Sequence, residues 1–141
     1  MPDPRIFTLD EAERSLPLVR HIVLDIRDAY RTWQDAVTRY ELEAAGATAK
    51  TGETEVLRTL REAVSGSAER VAALVDELQN LGVSLKDFEQ GLVDFYALRE
   101  DRLVYLCWRL GEDHITHWHE VDEGFAGRRP VDAILTRGVV P

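Results

Sequence analysis

The feature that most constrains this chain is an apolar repeat in alternating steps of three and four residues, running from Leu9 to Ala44. Side chains at this spacing share one stripe of an α-helix, and the residues between them carry mixed charges that solvent accepts. The segment Thr8-Leu9-Asp10-Glu11 has the form of a capping box, which predicts that the helix begins here. Pro17 interrupts the helix without shifting the phase of the stripe, which favours a kink over a break.

A second repeat of the same kind runs from Leu57 to Leu81, after a connection at 46–52 that is rich in small residues. Gly82 stands where a helix commonly ends in a left-handed cap. Two long helices with this spacing predict an antiparallel, coiled-coil-like hairpin. Because an isolated pair leaves flanking residues such as Leu18 and Ile22 partly exposed to water, we predict a homodimer formed through the helices.

After Gly82 the periodicity changes from helical to extended. Three runs rich in β-branched and aromatic side chains follow, separated by charged or glycine-bearing turns, at 92–98, 103–110 and 115–119. They predict a three-stranded antiparallel β-meander. The expected fold is α+β, a single domain over 1–141 with the helical hairpin at 8–81, the β-meander at 91–120, and a C-terminal loop and tail at 121–141 in which Val131 to Leu135 add a short edge element.

Composition excludes several classes of function. A formal net charge of −9 repels phosphate backbones and anionic lipids, which disfavours nucleic acid and membrane partners. We find no apolar run long enough to span a bilayer and no secretory signal at the N-terminus. The single cysteine, Cys107, forms no intramolecular disulfide, so we expect a cytoplasmic protein.

The two turns of the meander determine which side chains meet. With a four-residue turn at 99–102 and a three-residue turn at 111–113, Cys107 lies opposite both Asp94 and His117. These three side chains share one polar face, beside Tyr96, Tyr105 and His119. The opposite face is apolar and suited to packing on the helices: Val93, Phe95, Leu106, Trp108 and Trp118.

A carboxylate, a thiolate and an imidazole on one sheet face are ligands for Zn²⁺ or another divalent metal. The candidate metal ligands are Asp94, Cys107, His117 and His119, of which the two histidines share a strand face. The same three side chains could also act in nucleophilic catalysis, with the thiol as nucleophile, the imidazole as its base and the carboxylate as the orienting acid. This interpretation requires each pair to lie within hydrogen-bond reach. The third interpretation is that Cys107 is buried for packing alone.

The loop from Gly124 to Arg129 joins backbone freedom to two adjacent guanidinium groups. Such a loop can hold a phosphate or carboxylate, so we take a small anionic ligand as a candidate partner, with Tyr105, Glu112, Arg128 and Arg129 as ligand-binding residues. The alternative is that these arginines pair with Asp122, Glu123 or acids of a partner chain.

Several ordered blocks of the sequence carry a family resemblance: Phe7-Thr8-Leu9-Asp10-Glu11-Ala12, Gly91-Leu92-Val93-Asp94-Phe95, Leu106-Cys107-Trp108-Arg109-Leu110-Gly111-Glu112, Trp118-His119 and Gly124-Phe125-Ala126-Gly127-Arg128. Through them the chain resembles the uncharacterised prokaryotic family known as domain of unknown function 2203. The resemblance implies a single domain of prokaryotic cytoplasmic origin and brings no known activity. The blocks contain His119, which therefore ranks beside His117 as a candidate.

Three functions remain open from the sequence. The first is a module that binds a ligand or partner on the polar sheet face and the Gly124 to Arg129 loop. The second is a metal-binding protein or metal-dependent enzyme, in which Glu112 or Glu120 acts as general base. The third is a purely structural oligomeric bundle.

Overall fold

A computed structural model describes residues 5–47 and 52–131. The described chain contains two long helices followed by an antiparallel sheet in the order β1-β2-β3-β4-β5. The elements are α1 (Leu9–Gly46), α2 (Glu55–Asn80), β1 (Val83–Asp87), β2 (Leu92–Arg99), β3 (Arg102–Arg109), β4 (His117–Glu120), a 3₁₀ turn (Phe125–Gly127) and β5 (Arg129–Pro130). The α+β class is confirmed, but the sheet has five strands in the described residues rather than the three predicted.

The helix ends follow the local chemistry of the sequence. The backbone N–H of Glu11 donates to the Thr8 hydroxyl at 3.0 Å, and the Thr8 N–H donates to the Glu11 carboxylate at 2.9 Å, which completes the capping box. The backbone of Gly82 has a φ of +89° directly after α2, as expected for a left-handed cap. The α1 helix continues through Pro17 without ending.

One apolar core joins the helices to one face of the sheet. Phe95, Leu106 and Trp108 of the sheet are fully buried with Ile22 of α1 and Leu78 of α2. Ile22, which an isolated helix pair would leave partly wet, is buried in this core, whereas Leu18 remains 48% exposed. None of the helices in the described ranges has the length and apolar character needed to cross a membrane.

The predicted strand register is confirmed at each pair on which the site depends. Asp94 lies opposite Cys107, Cys107 opposite His117, and Tyr105 opposite His119. The turns themselves are different. Pairing extends to Arg99 and Arg102, so the first hairpin turns on Glu100 and Asp101 alone, with φ of 54° and 61°. Two consecutive left-handed residues match the twist of the flanking strands, and the one added pair, Arg99 with Arg102, leaves the register unchanged.

The two unpredicted strands border the meander. β1 pairs with β2 and carries a bulge between Leu85 and Asp87, whose partners are the adjacent residues Val93 and Leu92. β5 pairs with β4 through Arg129 and Pro130, so the edge element comes earlier than the predicted Val131 to Leu135, of which 132–135 lie outside the described residues.

Candidate metal site on the polar sheet face

Three polar side chains on the polar face of the sheet are buried, although neither α1 nor α2 lines the cavity beside them. Asp94 is 4% exposed, and Cys107 and His119 are each 2% exposed. Beyond the end of β4, the chain passes back over this face and brings Val121, Glu123 and Phe125 above it. We call this part of the chain, which follows β4, the covering segment. A cavity of about 260 Å³ remains between the covering segment and the sheet, and all three buried polar side chains line it.

The three buried side chains converge to within metal-ligand range. A carboxylate oxygen of Asp94, the Sγ of Cys107 and a ring nitrogen of His119 all lie within 4.8 Å of one another. The shortest contact is 3.0 Å, between His119 Nε2 and Asp94 Oδ1. Within the described ranges this is the one group of three such side chains that can hold a metal ion.

The tautomer of His119 follows from its second contact. His119 Nδ1 lies 2.8 Å from the backbone carbonyl oxygen of Glu120, and a carbonyl can only accept, so Nδ1 carries a proton and donates it. Nε2 is then the nitrogen that faces Asp94 and Cys107. A backbone carbonyl in this role is the usual support of a metal-binding histidine, because it fixes both the ring orientation and the free nitrogen.

Comparison with known proteins places the chain in a family without supplying a function. The family described as "Uncharacterized conserved protein (DUF2203)" matches residues 5–131. The chain belongs to this family. Among curated proteins and among solved structures, nothing matches the chain. The function of this DUF2203 member therefore has to be inferred from the chemistry of its candidate site.

Burial raises the pKa values of both acidic groups of the site, the Asp94 carboxyl and the Cys107 thiol. Burial raises the pKa of the Asp94 carboxyl above its usual value, although His119 and Lys86 oppose the shift. Burial and the negative charge of Asp94 raise the pKa of the Cys107 thiol to about 12. Without a cation, Cys107 of this family member is therefore a protonated thiol at neutral pH.

His117 lies apart from the cluster. Its Cα is paired with that of Cys107, but the ring is partly exposed and its Nδ1 lies 2.8 Å from the Thr116 hydroxyl. His119, one row further along β4, instead reaches diagonally to Asp94 on β2. The contact spans β3, which lies between β2 and β4, so the pairing of adjacent strands alone did not identify the histidine.

Glu112 and Arg128 form a partly buried ion pair beside the site. Arg128 donates to both carboxylate oxygens of Glu112 at 3.0 Å, and the Arg109 backbone N–H donates to the same carboxylate at 2.8 Å. Burial by itself raises the pKa of Glu112, but these hydrogen bonds outweigh it and the pKa lies below its usual value. Arg128 also lies over the ring of Phe125, 4.3 Å from its centroid. The pair therefore anchors the covering segment to the sheet.

The remaining candidates are also engaged within the chain. Arg129 pairs with Glu123 at 3.1 Å, which confirms the alternative that the loop arginines meet nearby acids. Glu120 pairs with Arg102 at 2.8 Å, and neither Glu112 nor Glu120 lines the cavity. Tyr105 does line it, with its ring centroid 5.3 Å from that of His119.

Lys86 is the site residue that sequence reasoning missed. Its ammonium lies 4.0 Å from Asp94 Oδ2 and 3.5 Å from the Tyr105 hydroxyl oxygen. The alternation of apolar Val83 and Leu85 with polar Ser84 and Lys86 was a signal for β1. The bulge, which leaves both Lys86 and Asp87 lining the cavity, has no comparable signature in the sequence.

Proposed function

We propose that this protein binds a divalent metal ion, preferentially Zn²⁺, through Asp94, Cys107 and His119. The observation that carries the proposal is the convergence of three different ligand atoms within 4.8 Å of one another on a buried sheet face. The hydrogen bond from His119 Nδ1 to a backbone carbonyl supports it, because that bond makes Nε2 the ring nitrogen on the side of Asp94, the second candidate ligand.

The donor set suits zinc more than magnesium or calcium. Thiolate and imidazole are borderline to soft ligands, whereas magnesium and calcium take oxygen. Metal-ligand bonds of about 2.0 to 2.3 Å in a tetrahedral site separate the ligand atoms by roughly 3.5 Å. The three atoms therefore need to move by only about 1 Å or less from their separations of at most 4.8 Å. A thiolate and a carboxylate also neutralise the charge of the dication, which lowers the cost of burying it.

Three protein ligands beside a cavity are typical of a zinc site that retains an open coordination position. Structural zinc sites are closed by four protein ligands, and the cluster supplies three within the part of the chain that the structure describes. The proposal therefore favours a site in which the metal meets water or a small ligand in the cavity, as metal-dependent enzymes use it.

A cysteine nucleophile fits the geometry less well. In a catalytic triad the imidazole stands between the nucleophile and the carboxylate. Here Asp94 is the group that contacts His119 and that also hydrogen-bonds the Cys107 thiol. With a thiol pKa of about 12, Cys107 has no thiolate to offer until a metal displaces its proton.

The test is zinc stoichiometry in matched variants. We expect about one zinc per chain in protein purified without chelator, incubated with zinc and dialysed. Cys107→Ala and His119→Ala should lose that zinc, whereas His117→Ala, two residues away on the same strand, should retain it. Circular dichroism of each variant establishes that it is folded.

The contrary outcomes are equally defined. The proposal is wrong if wild-type protein retains less than about a tenth of a zinc per chain, because Cys/His sites hold far more. Retention by His119→Ala together with loss in His117→Ala would overturn the ligand assignment. If Cys107→Ala and His119→Ala change only the free energy of unfolding, the structural alternative is correct.

A further inference from the structure

The cavity beside the candidate ligands is lined by the sheet on one side and by the covering segment on the other. The sheet side carries the three ligand side chains with Lys86, Tyr105 and the apolar Leu92, and the segment after β4 contributes the apolar Val121 and Phe125 together with Glu123. Its volume of about 260 Å³ is several times the roughly 30 Å³ that one water occupies in the liquid. It is also slightly smaller than the usual pocket for a drug-sized ligand. Its dimensions therefore suit a small molecule with a short apolar body.

Lys86 is the cation of this cavity. The bulge in β1 leaves Lys86 and Asp87 side by side on the polar face, and the Lys86 ammonium lies 4.6 Å from the Tyr105 ring centroid as well as 4.0 Å from Asp94 Oδ2. Its side chain is 42% exposed, so part of the ammonium is open to solvent. A lysine in this position meets any group that enters beside Asp94.

The two other acids of the lining, Asp87 and Glu123, already accept hydrogen bonds within the chain. Asp87 accepts hydrogen bonds from the backbone N–H groups of Glu89 and Gln90 at 2.9 and 3.0 Å. Glu123 pairs with Arg129 and accepts from the Glu120 N–H at 3.2 Å. Lys86 is the cation of the lining that can pair with an incoming anion. Its own ion pair, with Asp94, is long, at 4.0 Å.

We propose that the site takes a small organic carboxylate as its ligand, an inference that rests on the proposed metal site. The carboxylate completes the coordination of the metal and pairs with Lys86, while its apolar body lies against Leu92, Val121 and Phe125. Cys107 and Asp94 neutralise a dication, and the negative charge of Asp87 stands against the positive charge of Lys86, so the lining accepts a monoanion that pairs with Lys86 more readily than a dianion such as phosphate. The apolar side chains of Leu92, Val121 and Phe125 in the lining favour a carbon chain over an inorganic ion.

The experiment uses the full chain loaded with cobalt(II), which replaces zinc in tetrahedral sites and reports its coordination by visible absorption. Cobalt alone should produce a thiolate-to-metal charge-transfer band that Cys107→Ala lacks. The loaded protein is then titrated with butyrate, with n-butanol of equal chain length, and with inorganic phosphate. We expect butyrate to shift the d–d bands saturably, butanol to leave them unchanged, and phosphate to bind more weakly than butyrate.

Lys86→Met tests the cation, because methionine keeps an unbranched side chain without the charge. We expect this variant to keep the charge-transfer band and to bind butyrate about tenfold or more weakly, as the loss of one charge-assisted hydrogen bond implies. The matched control is Arg39→Met, which removes one positive charge from an exposed position on α1 and should leave the butyrate affinity unchanged.

Each remaining outcome has a definite meaning. A charge-transfer band without any response to butyrate overturns the carboxylate inference and leaves the metal site standing. Equal affinity of wild type and Lys86→Met, or tighter binding of phosphate than of butyrate, overturns it as well. Absence of the charge-transfer band in the wild type overturns the metal site and this inference together.

Discussion

The ion pair between Glu112 and Arg128 should couple energetically by about 2 kcal/mol. Exposed pairs contribute about 0 to 1 kcal/mol, whereas breaking a buried pair costs about 3 to 5 kcal/mol. The side chains of Arg128 and Glu112 are 13% and 20% exposed and are joined by two hydrogen bonds, so the pair lies nearer the buried limit. Part of the cost of each single substitution is relieved, because Glu112 keeps the Arg109 N–H and Arg128 keeps the Phe125 ring.

The assay is a double-mutant cycle measured by urea unfolding at neutral pH. The four proteins are wild type, Glu112→Gln, Arg128→Met and the double variant, and the coupling energy is the departure of the double variant from additivity. Equal slopes of unfolding free energy against urea establish that all four unfold in the same transition.

A second cycle on Glu53 and Arg61 is the control. That pair is shorter, at 2.7 Å, but its side chains are about half exposed, so solvent screens it and we expect a smaller coupling than in the Glu112 and Arg128 pair. If the Glu112 and Arg128 cycle yields no more coupling than the Glu53 and Arg61 cycle, burial is not what gives the anchor its strength and the reasoning is wrong.

Three further predictions follow from individual residues. The lowered pKa of Glu112 stabilises the fold above its unfolded-state pKa of about 4.3, and the stabilisation is lost as pH falls through the lower folded-state value. The stability advantage of wild type over Glu112→Gln should therefore persist at about pH 6 and shrink at about pH 3, and an advantage unchanged in urea titrations at both would contradict the assignment. Gly91→Ala should lower the free energy of unfolding by about 2 to 4 kcal/mol, because φ is +66° and a Cβ would stand 2.7 Å from Leu110 Cβ. Gly66→Ala, with open space around it in α2, should raise that free energy by about 0.5 to 1 kcal/mol, and similar effects at both glycines would refute the distinction. The homodimer through the helices stays a prediction: light scattering at micromolar concentration should give twice the 16.0 kDa chain mass, and a one-chain mass would exclude it.

The features that the sequence predicted well are those set by local chemistry. The capping box at Thr8, the cap at Gly82 and both long apolar stripes depend on neighbours within one or two helical turns. The register of β2, β3 and β4 was also predictable, because alternation of polar and apolar side chains permits few alignments of adjacent strands.

The features that were missed depend on chain segments meeting from a distance. β5 contains only Arg129 and Pro130, and proline in a short run argues against a strand unless an edge is available to accept it. The burial of Ile22 could not be predicted from the helical repeat, because the core that contains it also includes sheet residues 60 or more positions later. Burial of the polar face likewise requires the segment after β4 to fold back over it.

The sequence pattern could not decide which of the two histidines, His117 or His119, joins Asp94 and Cys107. Pairing puts the Cα atoms of His117 and Cys107 opposite each other, yet the carbonyl of Glu120 turns the His119 ring toward Asp94. Both histidines lie on the same strand face, so no periodicity separates them. What separates them is burial, because His119 is 2% exposed beside the cavity that Val121 and Phe125 help to line, whereas His117 is partly exposed outside it. The proposed metal site therefore depends on the covering segment as well as on the sheet, and the ion pair between Glu112 and Arg128 supports the proposed ligands by anchoring that segment.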